Sequence, residues 1–351
     1  MSGRLRASRI TEGLEHLVPS AVEDRVLRGR VLDVVRRSIP FDAYAFLLTD
    51  PATCVGCSPL AEVPNVAMLP DLIRLKYLTT VNRWTTLPAS GCQSLLQATA
   101  DRPAQSPLWR ELLSSLGVVD TLSAVVRDRH GCWGFLDLWR RGARFAEDET
   151  SALDRALPAI TALLRGIQAA GFAARPVPAV HRGPGALVLS PGLEVRAQTP
   201  QTGDWLSALV PPEAGRGPVP AGAYNVAAQL LAIEAGVDAN PAQARVHLGG
   251  GSWLTLRADR LAGERPVAER DIVVTMETSS PAERRDVFSR AHALTGREDE
   301  VLRQLSDGHD TRTVARLMAI SELTVQDHLK AVFAKTSTSS RLELLARSQG
   351  R

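Results

Sequence analysis

Toward the C-terminal end, Gln326, Asp327 and Lys330 lie within five residues of one another, and the spacing of their apolar neighbours decides where they point. Val325, Leu329, Val332 and Phe333 recur at i, i+4, i+7 and i+8, the pattern of one buried helix face. The three polar side chains then share the opposite, solvent-facing side. They suit the edges of base pairs: a Gln amide matches adenine, an Asp carboxylate accepts from the cytosine amino group, and a Lys ammonium donates to guanine O6 or N7. Charge is sorted to match. Residues 308–351 carry seven Arg or Lys against four acids, whereas Glu298, Asp299, Glu300 and Asp307 outnumber Arg297 and Arg303 just upstream. The basic half is the half expected to meet phosphate.

Other candidate chemistry is sparser. Cys54-Val-Gly-Cys57 has the spacing of a metal or redox pair, but a zinc site needs four ligands, and Cys92 and Cys132 would have to converge on it. Ordinary buried or loop cysteines are the expectation. Asp50 ends an apolar run as a phospho-acceptor would, yet no acidic pair precedes it and no lysine lies between Lys76 and Lys330 to hold a phosphoryl group; it is expected in the turn before Pro51. His130, alone in a hairpin turn, reads as solvated. Trp84, Trp109, Trp133, Trp139, Trp205 and Trp253 fit either pocket walls or core. There is no Gly-rich phosphate loop with lysine, no His-Glu-x-x-His and no Gly-x-Ser-x-Gly, so no residues support an enzyme.

Helical spacing over 24–38 is closed by Pro40, and 43–49 is a short apolar strand. Helices are expected over 69–80 and 106–116, a hairpin over 121–127 and 132–140, and a closing helix over 145–167. Residues 24–172 thus read as an α+β sensor module after an extension of 1–23. Residues 173–184, rich in Pro and Gly, read as a linker. A second, smaller α+β module over 185–280 opens with a hairpin (186–189 and 193–199), continues with helices over 204–209 and 224–235, and adds strands over 244–248, 252–258 and 271–278. No internal repeat is visible. Residues 281–292 read as a connecting helix, and 293–351 as all-helical.

In that last region Thr295 with Glu298 forms a capping box, and Val301, Leu302 and Leu305 give the first helix its apolar face. Asp310 can cap a second helix, with Val314, Leu317 and Met318 inward, and Ser321 a third. Two short helices joined by 318–321 make a helix-turn-helix. The alternative is a helical packing unit that serves dimerisation or protein partners, as in a signalling adaptor.

The stretch Leu294-Thr-Gly-Arg-Glu-Asp-Glu-Val-Leu302, with Gly308, Val314, Ala315, Ile320, Ser321, Thr324, Val325, His328, Leu329, Lys335, Ser340 and Arg341, resembles the LuxR-type DNA-binding domain. The resemblance implies that Gln326, Asp327 and Lys330 meet bases, that Thr324, Lys335, Arg341 and Arg312 lie near the DNA backbone, and that a fourth helix over 340–348 can pair subunits. Gln326 stands where Lys is commonest, and Thr336-Ser-Thr-Ser339 replaces the usual Leu-Gly-Val turn. More loosely, Phe41-Asp-Ala-Tyr44, Gly134-Phe-Leu-Asp-Leu138 and Phe145-Ala-Glu-Asp-Glu149 resemble a GAF domain, and 186–199 with 253–258 resemble a PAS-like fold. The implied function is a sequence-specific DNA-binding transcription regulator whose two upstream modules sense a small molecule or mediate dimerisation; the implied partners are double-stranded DNA, a second copy of the chain, an unidentified small-molecule effector and RNA polymerase, and no cofactor is expected.

Composition sets the frame. The 351 residues carry a net charge of +3, with 44% hydrophobic and 23% charged residues, which excludes collagen-like, coiled-coil and largely disordered chains. Arginine supplies all but three of the 41 basic residues, and two of the three lysines, Lys330 and Lys335, fall in the C-terminal region. The longest apolar run, 157–174, is broken by Arg165 and Gln168, and the first ten residues show no secretory signal. The expectation is a cytoplasmic chain without a membrane anchor.

Overall fold

A computed structural model describes residues 3–19, 24–63, 65–88, 91–173, 183–209, 218–249 and 251–350; most of the 173–184 linker lies outside them. The first unit starts with α1 (Gly3–Glu15) and α2 (Asp24–Ser38), followed by strands β1 (Ala43–Thr49) and β2 (Gly56–Glu62). Next come α3 (Leu69–Leu78), β3 (Cys92–Ser94), α4 (Leu95–Ala98) and α5 (Pro107–Glu111). The hairpin β4 (Asp120–Asp128) and β5 (Gly131–Arg140) and the long α6 (Glu147–Ala170) complete it. The sheet is antiparallel in the order β2-β1-β5-β4-β3.

Alternation sets its two faces. Phe46, Leu48, Leu136 and Leu138 share one face with Gly134, whose position abuts Leu164 of α6. Ala45, Leu47, Phe135 and Trp139 point to the side of α3. The hairpin turn is fixed locally: the Asp128 carboxylate accepts from the His130 amide (2.8 Å) and the Trp133 indole (3.0 Å). Gly131 is required there because a Cβ would stand 2.5 Å from the Pro51 carbonyl oxygen.

Three features depart from the sequence reading. The sequence reading assigned no element to 56–62, which form β2; its Pro59 is tolerated because β2 is an edge strand, where a missing amide leaves no ladder bond unmade. The helix expected over 106–116 stops at Glu111 and resumes as a 3₁₀ turn over Leu113–Leu116. Ser114 and Ser115 there donate their hydroxyls back to the Arg110 and Leu112 carbonyls (3.1 and 2.8 Å), competing with the helical ladder. Within the segment read as an extension, α1 buries Ala7, Ile10 and Leu14 and packs against α6.

The second unit comprises β6 (Gly185–Leu189), β7 (Val195–Gln198), α7 (Thr202–Leu209), α8 (Ala221–Glu234), β8 (Gln243–His247), β9 (Trp253–Arg260) and β10 (Ile272–Thr278). Its order, β7-β6-β10-β9-β8, repeats that of the first sheet strand for strand. Helix α8 covers one face, where Leu187, Leu189, Leu254, Leu256, Ile272, Val274 and Met276 are fully buried. The other side of α8 packs on α3 and β2 of the first unit. A helix enclosed on both sides needs small residues all round, and Ala221 to Gln229 are buried without a break.

Buried ion pairs bridge the units. Asp50, fully buried, receives both arms of Arg245 at 2.7 Å and also accepts from the Arg245 amide (2.8 Å). The expected turn role is present as well, since the Ala52 amide donates to the same carboxylate (2.9 Å). Arg83 and Asp238 form a second such pair at 2.5 Å. Arg245 continues to Asp286 (2.7 Å) on α9 (Pro281–Ala291). Beside it, Phe172 stacks on Trp253 (4.7 Å between centroids) and meets Phe288 edge-on (5.2 Å), joining the end of the first unit, the second sheet and α9. The chain ends in α10 (Gly296–Ser306), α11 (Thr311–Met318), α12 (Glu322–Thr336) and α13 (Arg341–Gln349). Among the described residues no helix is long and apolar enough to cross a membrane.

Candidate nucleic-acid interface

Each terminal helix begins with a side-chain cap. Thr295 accepts from the Glu298 amide (3.3 Å) and Glu298 from the Thr295 amide (2.6 Å), the expected reciprocal box. Asp310 accepts from Thr313 N (2.8 Å), Ser321 from Thr324 N (3.1 Å) and Ser340 from Glu343 N (3.2 Å). The turn between α11 and α12 is made by Ala319 at φ +55°, a left-handed residue that reverses the chain in three residues. Val301, Leu305, Val314, Ala315, Met318 and Val325 form the small core beneath.

Leu317, expected inward, is 52% exposed. At about 100° per residue, positions 314, 315 and 318 define the buried stripe of α11, and 317 falls roughly a quarter turn or more from its centre.

The outer face of α12 carries Gln326, Asp327 and Lys330, all exposed. Lys330 and Asp327 touch at 3.3 Å with side chains 74% and 63% exposed, a pair that water already weakens and that can exchange for other contacts at little cost. Thr324, at the start of the helix, shares a hydroxyl contact with Ser321 (2.8 Å). Arg312 is exposed on α11.

The other two backbone candidates, Lys335 and Arg341, are engaged within the domain. Lys335 donates to Glu298 (2.6 Å) and to the Ala293 carbonyl (3.3 Å), tying the end of α12 to the start of α10. Burial by itself would raise the Glu298 carboxyl; the Lys335 ammonium and the Thr295 amide together hold it below the usual range. Arg341 donates to the His309 carbonyl (2.5 Å). Sequence spacing could not show these ties, because the partners lie 37 and 32 residues away.

Helix α13 packs its buried Leu344 toward α9, while Leu342 on its outer side is 81% exposed. Arg284 of α9, 5% exposed, donates to the Arg347 carbonyl of α13 (3.1 Å) and to the Gly251 carbonyl in the turn between β8 and β9. Burial lowers this guanidinium to about 10. The helix-turn-helix is therefore seated on the upstream units through α9.

The other sequence candidates do not assemble. Cys57 points its thiol at the Leu48 carbonyl (3.5 Å), while Cys54, in a left-handed turn at φ +58°, sits beside Cys132. Among the described residues no group of three or more His, Cys, Asp or Glu is placed to hold a metal ion. His130 offers its carbonyl to Arg290 of α9 (3.1 Å).

Residues 292–347 match the family described as bacterial regulatory proteins, luxR family. The chain is similar to the transcriptional regulatory protein DesR of Bacillus subtilis (strain 168), 30% identical over 94 residues, which is 27% of this chain and 47% of DesR. It is also similar to the monoamine regulon transcriptional regulator of Klebsiella aerogenes, 38% identical over 55 residues, 16% of this chain and 24% of that protein. The chain thus spans less than half the length of the curated relatives it matches. A solved structure of SdiA from Escherichia coli aligns over 99% of this chain and 96% of its own, at 12% identity and a TM-score of 0.33, a likeness too low to carry an argument. The capped helices, the left-handed turn and the family match over the same residues identify 292–347 as a LuxR-type helix-turn-helix domain.

Proposed function

We propose that the chain is a sequence-specific transcription regulator that binds double-stranded DNA as a homodimer, with its two α+β units acting as small-molecule sensors. Helix α12 enters the major groove. Gln326, Asp327 and Lys330 reach base edges, and Arg312, Thr324, Arg341 and Lys335 lie along the sugar-phosphate backbone. The observation that carries this reading is the outer face of α12: three side chains with base-edge chemistry stand in solvent, while caps and core already satisfy the rest of the helix. Lys335 contributes less to phosphate attraction than Arg312, because Glu298 holds its ammonium. Exposed Leu342 leaves one side of α13 available for pairing subunits, which would place two recognition helices on half-sites about one helical turn apart.

The test is binding of the full chain to labelled duplex DNA across a salt series. Affinity that falls linearly with log salt supports the reading. No duplex binding at low salt, with the fold intact, contradicts it and favours a helical adaptor.

A further inference from the structure

Two of the four cysteines meet where the first unit touches the second unit and α9. Cys54 belongs to the turn that joins β1 to β2, and Cys132 is the second residue of β5, just after the hairpin turn. The main chain fastens the two turns side by side. The Cys132 amide donates to the Pro51 carbonyl (3.1 Å), and the Thr49 hydroxyl donates to the Cys132 carbonyl (2.7 Å). The Cys54 amide closes its own turn on the Asp50 carbonyl (2.9 Å). Across this contact the Cys132 thiol donates a hydrogen bond to the Cys54 sulfur.

The two sulfurs are not equivalent. Cys54 is half-buried, whereas Cys132 is 4% exposed. Donation from Cys132, helped by Arg127, lowers the Cys54 thiol below its ordinary value against burial and the Asp238 and Asp50 carboxylates. The same contact, with burial, raises the Cys132 thiol well above it. A more acidic thiol nearer the solvent, backed by a second thiol that keeps its proton, is the arrangement of an attacking and a resolving cysteine. The other two are inert by comparison. Burial raises both Cys57 and Cys92, and Cys57 turns its thiol to the Leu48 carbonyl (3.5 Å).

We propose that Cys54 and Cys132 form a peroxide-reactive dithiol that closes to a disulfide within the chain. The Cys54 thiolate attacks one peroxide oxygen; the O–O bond breaks, and the departing hydroxide takes up the proton that Cys54 released and leaves as water. Cys54 is then a sulfenic acid. The Cys132 sulfur attacks the Cys54 sulfur, the S–O bond breaks, and the second hydroxide leaves as water with the Cys132 proton. Two thiols are oxidised and one peroxide is reduced by the same two electrons; a dithiol reductant reverses the closure. The new bond ties the turn over 50–54 to the β4–β5 hairpin. That turn holds β8 through Asp50 on Arg245 and through the Thr53 hydroxyl on the Gln243 carbonyl (2.6 Å), and the hairpin holds α9 through the His130 carbonyl. Oxidation therefore cross-links the first unit at its joint with the rest of the chain. The inference stands apart from the DNA-binding and small-molecule readings above.

The experiment exposes the reduced full chain to a small excess of hydrogen peroxide, alkylates the remaining thiols with N-ethylmaleimide in denaturant, and maps the peptides by mass spectrometry. Cys57 and Cys92 should be recovered alkylated, and a peptide joining Cys54 to Cys132 should appear that dithiothreitol releases. Cys54 should be consumed about tenfold faster than Cys57 or Cys92. Cys132→Ser should stop the reaction at a Cys54 sulfenic acid that dimedone traps, and Cys54→Ala should leave Cys132 reduced over the same time. The wild-type map needs no substitution, so the test holds if either variant fails to fold. A link from Cys54 to Cys57, links only between chains, oxidation of Cys54 to sulfinic acid without a link to Cys132, or four cysteines left reduced overturns the proposal.

Discussion

The two α+β units share one strand order but differ in how they are covered. The first sheet has helices on both faces, α1, α2 and α6 on one and α3 with the borrowed α8 on the other. The second sheet is covered by α8 on one face, and its other face is open except near β8 and β9, where α9 and Phe172 pack. Exposure along β10 alternates accordingly: Thr275 and Glu277 stand in solvent while Val274 and Met276 are fully buried. The second unit therefore depends on the first. Its longer helix, α8, is shared and its edge strand is pinned by Asp50, which holds the second unit between the first unit and α9.

The largest effect that would sharpen this contrast lies in the ion pairs. Arg245→Ala leaves Asp50 buried and unpaired, and should cost about 3–5 kcal/mol in urea unfolding. Arg257→Ala, on the neighbouring strand, removes pairs to Glu277 and Glu283 in which the Arg257 side chain is already 39% exposed, and should cost under about 1 kcal/mol. Equal losses would mean that the second unit does not lean on the first through β8. Next in size is overpacking. Ala227→Leu, in the part of α8 enclosed on both sides, should cost about 1–3 kcal/mol in urea unfolding.

A smaller effect comes from two histidines at the joint. Burial, with the Arg284 cation adding to it at His247, holds His247 and His292 at about 4, below the ordinary 6.5. The unfolded chain takes up these protons first, so stability is complete above about pH 6.5 and falls as the pH drops toward 4. At pH 5 the loss should be about 1–2 kcal/mol per ring, reduced because both rings are partly exposed. Urea midpoints between pH 8 and pH 5 measure it, and His247→Gln should flatten part of the slope. An unchanged slope would remove His247 from the joint.

How much of this was legible follows from what each segment packs against. Helix 24–38 could be read to the residue because one solvent side and one core side impose a period, and strand 43–49 because burial on both faces leaves a short continuous apolar run. The three caps at Thr295, Asp310 and Ser321 were legible for a related reason, since the acceptor and the amide it serves are three residues apart. The duplicated strand order was not. The two sheets bury different faces to different depths, so their hydrophobic patterns do not repeat even though their topology does. The same limit hid the Asp50–Arg245 pair, whose members lie 195 residues apart. Face chemistry on α12 was legible from periodicity alone; the retention of Lys335 by Glu298 was not, because it depends on how α10 and α12 cross.

The central claim is that the outer face of α12 reads bases. It is tested most directly by selecting binding sites from random duplex DNA with the full chain and with Asp327→Ala, then measuring affinity for the selected and scrambled duplexes. The account predicts that wild type enriches a defined site and that Asp327→Ala relaxes the preference at one base pair by about 1–3 kcal/mol while leaving the other positions unchanged. Identical selected sites for both proteins, with affinity merely rescaled, would contradict it.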